Sequence, residues 1–343
     1  MAQINKSSDY FNTVLYTGNG STQSITGVGF QPDMIWVKQR NAVRNHVIED
    51  AVRGTTKALY PNLGNAEENQ ATSITSFDSD GFSTGAFDDT NINTGTFVSW
   101  NWLASNTTAS NTDGSITSTV SANTTSGFSI VSYTGTGANA TVGHGLSSAP
   151  AMVIIRSRDD VNNWRVGHNG LTDWSYRINL ESTGAEGVQA DVFNSTAPTS
   201  SVFSVGTSGS TNGSGKAYIS YCFAEKKGFS KFGSYTGNGS ADGTFIYTGF
   251  KPAFIMFKDT GYASNWCMFD NRRAGYNSKS DILAPNTSGA EDTSNTVFAD
   301  FLSNGFKWRF TNADFNASGN NYIYMAFASE PLVGTNNTPA TAR

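Results

Sequence analysis

The sequence predicts an all-β chain of three tandem β-sandwich domains, jelly-roll or lectin-like, and three observations carry that prediction. A Gly-aromatic-x-Pro turn feeding an apolar strand that ends in a cation is written three times. The landmarks on either side of it recur in the same order. Short apolar runs alternate with turns rich in Gly, Ser, Thr and Asn, the composition that stacked sheets need. The clearest copy is Gly249-Phe250-Lys251-Pro252, leading through Ala253-Phe254-Ile255-Met256-Phe257 to Lys258. The first is Gly29-Phe30-Gln31-Pro32, leading to Lys38, and the loosest is Gly145 to Pro150, leading to Arg156.

Tyr-Thr-Gly stands upstream of each copy, at Tyr16, Tyr133 and Tyr235. Downstream come Asn45-His46, Asn163-Trp164 and Asn265-Trp266, then Ala66-Glu67, Ala185-Glu186 and Ala290-Glu291. Each copy closes on an aromatic-rich strand, at Thr96 to Trp102, Tyr218 to Phe223 and Tyr322 to Phe327. The period is roughly 100–120 residues, far longer than that of solenoid repeats, so each unit is large enough for a core of its own.

In chain order, residues 1–13 read as a polar N-terminal arm and 14–104 as repeat one. Residues 34–38 are apolar until Lys38, as in a central strand covered on both faces. Val52 to Leu59 has the pattern of one or two helical turns, ended by Pro61. Residues 105–126 are almost all Ser, Thr, Asn and Ala and read as a linker with too few apolar side chains for a core. Repeat two spans 127–226 and is the least regular. Repeat three spans 227–333, so close behind that the two should pack in a fixed orientation. Its last strand alternates Ile323, Met325 and Phe327 against Tyr322, Tyr324 and Ala326. Residues 334–343 form a polar C-terminal tail.

Charged residues make up only 14% of the chain, and the net charge is -5 with no basic run. That argues against a nucleic-acid groove. No apolar run approaches the roughly 18 residues of a membrane span, so no membrane insertion is expected. The amino terminus lacks the apolar core of a signal peptide. Cys222 and Cys267 sit at strand-like apolar positions and read as buried free thiols. The three histidines, His46, His144 and His168, show no metal-ligand spacing. No Gly-x-Ser-x-Gly elbow is present, so no catalytic residue is assigned, the chain reads as non-enzymatic, and no cofactor is expected. Asp78 and Asp80 are the one weak metal candidate, against a turn reading in which Asp before Gly tolerates the left-handed conformation. Trp164, Trp174, Trp266 and Tyr262 lie in polar, loop-like stretches, where an exposed ring beside amides and carboxylates holds a sugar. Against that, the recurrence of Trp164 and Trp266 at one position in the repeat fits core or inter-domain packing.

These landmarks resemble a repeat seen in structural proteins of tailed phages, especially marine and cyanobacterial ones. The residues that carry the likeness are Ile4 to Thr13, Tyr16 to Gly20, Gly27 to Pro32, Asp50 to Gly54, Ser76 to Phe82 and the closing aromatic strand. The resemblance implies a place on the virion exterior, as a tail fibre or tail-attached protein or as a capsid decoration or head appendage. The implied partners are other virion proteins, further copies of the chain (a trimer among the options) and a host-surface glycan. It carries no catalytic residues.

Overall fold

The computed structural model describes residues 3–294 and 298–334. It is all-β: strands dominate, and the helical pieces are single turns. No helix among the described residues is long and apolar enough to cross a membrane.

The three repeats share one four-stranded antiparallel arrangement. In repeat one the order is Phe11–Thr17, Thr96–Trp102, Met34–Gln39, His46–Asp50. In repeat three it is Ser230–Thr236, Asn321–Pro331, Phe250–Asp259, Cys267–Asp270. Repeat two places Phe128–Thr134, Ala217–Phe223, Met152–Ser157 and Arg165–His168 in that order within an eight-stranded sheet. A smaller sheet lies over one face of each, such as Gln23–Thr26, Gly81–Thr84 and Ile74–Asp78 in repeat one.

Strand alternation then decides where each side chain goes. Ile35, Val37 and Phe97 point to the small sheet and pack on Ile25, Ile74 and Phe82. Their neighbours Met34, Trp36, Trp100 and Trp102 point the other way. So do Met152, Ile154, Tyr221 and Phe223 of repeat two, and Phe254, Met256, Met325 and Phe327 of repeat three. These inner faces form one central core. The expectation of a separate core for each repeat therefore accounts for only half of the packing, because the other half is held in common.

Contacts between repeats run in one cyclic direction. Glu67 N donates to Arg158 O at 2.8 Å, Glu186 N to Thr260 O at 2.9 Å, and Glu291 N to Arg40 O at 2.7 Å. The second closes repeat two on three and the third closes three on one, so the ring is complete within a single chain. Two of the three junctions add buried ion pairs. Arg53 bridges Asp50 and Glu67, and Glu67 also takes Arg158. Arg273 bridges Asp270 and Glu291, and Glu291 also takes Arg40. Asp50 further accepts from the Tyr221 hydroxyl at 2.7 Å, and Asp270 from Trp100 Nε1 at 3.1 Å.

The structure differs from the sequence expectation in three places. Residues 105–126 are not a bare linker: Ala109–Asn111 and Ser118–Asn123 are strands that extend the sheet of repeat two. Backbone pairing on a sheet edge needs no apolar face, which is why composition hid them. Val52 to Leu59 holds no helix, because Asp50 Oδ1 accepts from Val52 N and Arg53 N and turns the chain sharply, with Gly54 at φ +86°. The N-terminal arm is shorter than expected, since Phe11 already begins a strand and stacks on Phe327. Beyond Gly334 the expected C-terminal tail lies outside the described residues.

Removing Arg273 as Arg273→Ala leaves Asp270 and Glu291 without their shared cation, and a loss of about 3–5 kcal/mol is expected in denaturant unfolding. A second expectation concerns pH. Burial pushes the Glu49 carboxyl up to about 7 and that of Asp33 up to about 6. Unfolded, both ionise near pH 4. The folded state therefore holds extra protons between roughly pH 4 and 7, and this contribution to stability is lost as pH rises through that window. Thermal melts should show Glu49→Gln gaining on the wild type at pH about 8 relative to pH about 5.

Candidate functional site

Of the four residues expected to line a sugar site, three are in the core. Trp164 is fully buried and its Nε1 donates to Tyr60 O and Leu63 O across the junction with repeat one. Trp266 likewise donates to Asn179 O of repeat two. Trp174 lies edge-on to Phe193 and donates to Asn169 Oδ1. Their rings anchor one repeat to the next or fill a core, so none offers a face to a ligand. Tyr262 alone is in solvent, 65% exposed. Asp78 accepts from the hydroxyls of Ser76 and Ser83 of its own hairpin, and Asp80 ties that hairpin to Gly27 N and Gly29 N of the preceding loop. Among the described residues no three His, Cys, Asp or Glu side chains gather as a metal-holding group.

Tyr262 belongs to the end of the molecule built from hairpin tips and short helical turns. There the Tyr-Thr-Gly turns are fastened in the same way in every repeat. Tyr16, Tyr133 and Tyr235 donate to Thr90 O, Thr211 O and Phe315 O. Asn91, Asn212 and Asn316 close the helical turns Asp88–Asn91, Gly209–Asn212 and Ala313–Asn316, and each Oδ1 accepts from the backbone of its Tyr-Thr-Gly turn. The glycine of that turn allows the approach: a Cβ on Gly237 would lie 2.3 Å from Ala317 O. Below each hairpin tip sits a buried cation. Lys38, Arg156 and Lys258 all donate to loop carbonyls.

On this common frame the three repeats differ in what fills the space beside the tip. In repeat one Arg44 pairs with Asp88 at 2.9 Å, while Tyr60, Leu63 and Phe87 pack on Val47 beneath. In repeat two Lys216 pairs with Asp160 at 2.8 Å, and Arg165 reaches Asn179 and Ser210 beneath. In repeat three Ser264 stands where Arg44 does, each donating its backbone N to the neighbouring repeat. Asn320 stands where Lys216 does, one residue before the last strand. Ala284 replaces Tyr60, Cys267 replaces Val47 or Arg165, and Asn312 replaces Phe87 as the residue before the helical turn.

The result is an open cleft of two adjoining lobes with Asp314 in the wall of both. The outer, about 290 Å³, is lined by Asp259, Tyr262, Ser264, Asp314 and Asn320 among others. The inner, about 220 Å³, runs past Cys267, Ile282, Ala284 and Phe298. Asp259 is engaged, accepting from Gly261 N, Tyr262 N and Asn320 Nδ2. Asp314 takes no hydrogen bond or ion pair on its carboxylate among the described residues. Burial pushes the Lys258 ammonium down to about 8, opposed by Asp259 and Asp314. Burial pushes the Cys267 thiol up, so it keeps its proton. No histidine lines either lobe.

A wider cleft of about 980 Å³, flanked by Lys251, Tyr276, Lys279 and Glu330, lies at the opposite end of repeat three. Of the sequence candidates Tyr262 lines this cleft, and Asp314, Ser264 and Asn320 beside it were not among them. The available signal was the segment 88–91, 209–212 and 313–316, whose shared final Asn aligns the copies and exposes the lost cations.

A family model described as Domain of unknown function (DUF7483) matches residues 6–331. That span takes in all three repeats, and the chain belongs to this family. No curated protein matches the chain.

The burial contrast has a measurable consequence. Trp266→Ala should cost about 3–5 kcal/mol in denaturant unfolding. Tyr262→Ala should stay within about 0.5 kcal/mol of wild type.

Proposed function

We propose that this DUF7483 protein is a non-enzymatic structural protein of a phage virion exterior. In this reading it is a tail fibre or tail-attached protein that contributes to recognition of a host-surface glycan. Each repeat is read as a β-sandwich unit, and the cleft of repeat three as the recognition site. The resemblance of the repeat landmarks to tailed-phage structural proteins supplies the location.

The observation that carries the rest is the polarity of the molecule. At one end Phe11 pairs with Trp102, Phe128 with Phe223 and Ser230 with Phe327. The lead-in is held there by Ile4 N on Lys227 O, near both joins between repeats. At the other end Thr17 pairs with Thr96, Thr134 with Ala217 and Thr236 with Asn321, beside the hairpin tips and the open cleft. A protein held by the end that carries its joins presents the cleft of repeat three outward. Tyr262 supplies an exposed ring face, and the amide and carboxylates around it supply partners for hydroxyls, the usual division of labour in sugar binding. The joined end is where other virion proteins or further copies would attach.

The alternative is a decoration protein or head appendage that stabilises the shell. It draws on the wide cleft beside Tyr276, an 88% exposed ring at the joined end, as a contact with the shell. Labelling intact particles with an antibody against repeat three and imaging them separates the two. Label on the tail or its tip is expected. Label over the head would transfer the protein to the shell, and absence from the particle would overturn the virion reading altogether. With tail label in hand, particles carrying Tyr262→Ala should adsorb more weakly to host cells than wild type, at unchanged particle stability.

A further inference from the structure

Two of the three equivalent spaces at the hairpin-tip end are neutralised from within. Repeat one sets Lys38 and Arg44 against Asp88 and Asp89. Repeat two sets Lys216 against Asp160 and Asp159, with Asp159 also accepting from Ala217 N, while Arg156 and Arg165 face Glu181 beneath. Repeat three sets Lys258 alone against Asp259 and Asp314. It is one cation short of repeat one, and Asp292 adds a further carboxylate to the wall of the inner lobe. The missing cation is the one that would lie where Arg44 does, and it is missing where the space is also empty. Charge and room are thus vacant at the same spot.

We propose that the cleft of repeat three binds the protonated amine of an amino sugar, with the ligand's ammonium at Asp314 taking the place that Arg44 takes beside Asp88 and Asp89. The inference rests on the glycan reading of this end and names the sugar class. An ammonium on a half-buried carboxylate makes a charge-assisted hydrogen bond, stronger than one from a neutral hydroxyl. The exposed Tyr262 ring adds a face for the apolar side of the pyranose and attraction for the cation. Lys258 Nζ is already engaged below by Asp259 O, Tyr262 O and Ser264 Oγ, so it holds the loop and is not free to neutralise Asp314 fully. Acidic sugars and phosphates are disfavoured, because the cleft would set Asp259, Asp292 and Asp314 against them. N-acetylated sugars lack the cation and leave Asp314 uncompensated.

The test uses the purified full-length chain, titrated calorimetrically with D-glucosamine and with N-acetyl-D-glucosamine. The pH is about 6, where an amine with a pKa like that of an α-amino group is protonated. Glucosamine is expected to bind about tenfold or more tightly than its N-acetyl form. Asp314→Asn should remove that preference at unchanged melting temperature, and Ser264→Arg, which restores the cation of repeat one, should block glucosamine in a chain that still melts cooperatively. Equal binding of the two sugars, no binding of either, or a preference that survives Asp314→Asn would overturn the proposal. Tighter binding of Nα-acetyl-lysine methylamide than of glucosamine would also overturn it, by assigning the cleft to a protein side chain. The readout is independent of where the protein sits. Glucosamine binding with no label on the particle would sink the virion reading and leave the site standing. Tail label with no amine binding would do the reverse.

Discussion

Everything in this molecule depends on each large sheet being apolar on both faces. One face is covered by the repeat's own small sheet. The other, carrying Met34, Trp36, Trp100 and Trp102 in repeat one, finds cover only in the corresponding faces of the other two repeats. A lone repeat would leave those four side chains in water, at a cost of about 1.5–3 kcal/mol for each one that folding buries. Three sheets around a common core leave each of these faces covered. Phe327 shows how closely the repeats are joined: its ring meets Phe11 and Trp102 of repeat one and Phe223 of repeat two.

Apolar faces alone would allow the sheets to slide, and the buried charges oppose that. Asp50, Arg53, Glu67 and Arg158 form one network, and Asp270, Arg273, Glu291 and Arg40 the other, each spanning a junction. Buried ion pairs add little net stability against apolar replacements, but a slipped register would strand their charges. The third junction shows no such Asp-Arg-Glu network among the described residues. His168 stands at the register position of Asp50 and Asp270, and burial pushes its imidazole down to about 4. That junction is also the one with the shortest covalent join, residues 224–230. The networks lie where the chain tethers the repeats loosely or not at all.

The same comparison separates scaffold from site. The tyrosine, glycine and asparagine that fasten the hairpin-tip end are kept in all three repeats, because each makes a backbone contact that the fold requires. The residues that fill the space beside each tip are free to change, because their partners are side chains. Repeat one fills it with aromatics, repeat two with Arg165, and repeat three leaves it open. The threefold frame is thus kept at the hairpin-tip end, and one of its three spaces is left unfilled.

The all-β class, the three copies and the two-sided alternation of Ile323, Met325 and Phe327 against Tyr322, Tyr324 and Ala326 were legible in the sequence by itself. Strand period and turn chemistry are local, and they are spelled out residue by residue. The recurrence of Trp164 and Trp266 at one position already pointed to packing between repeats, and the tertiary structure decided which segment covers each ring, since exposure depends on what a distant segment places over it. It alone decided that the Ser- and Thr-rich stretch after Ala104 pairs into a sheet, since edge pairing uses backbone groups that every residue carries. And it alone brought Asp314, Asn320 and Tyr262 to one cleft. Tyr262 lies more than fifty residues before the other two in sequence, and the pairing of Phe250–Asp259 with Asn321–Pro331 brings the two ends together.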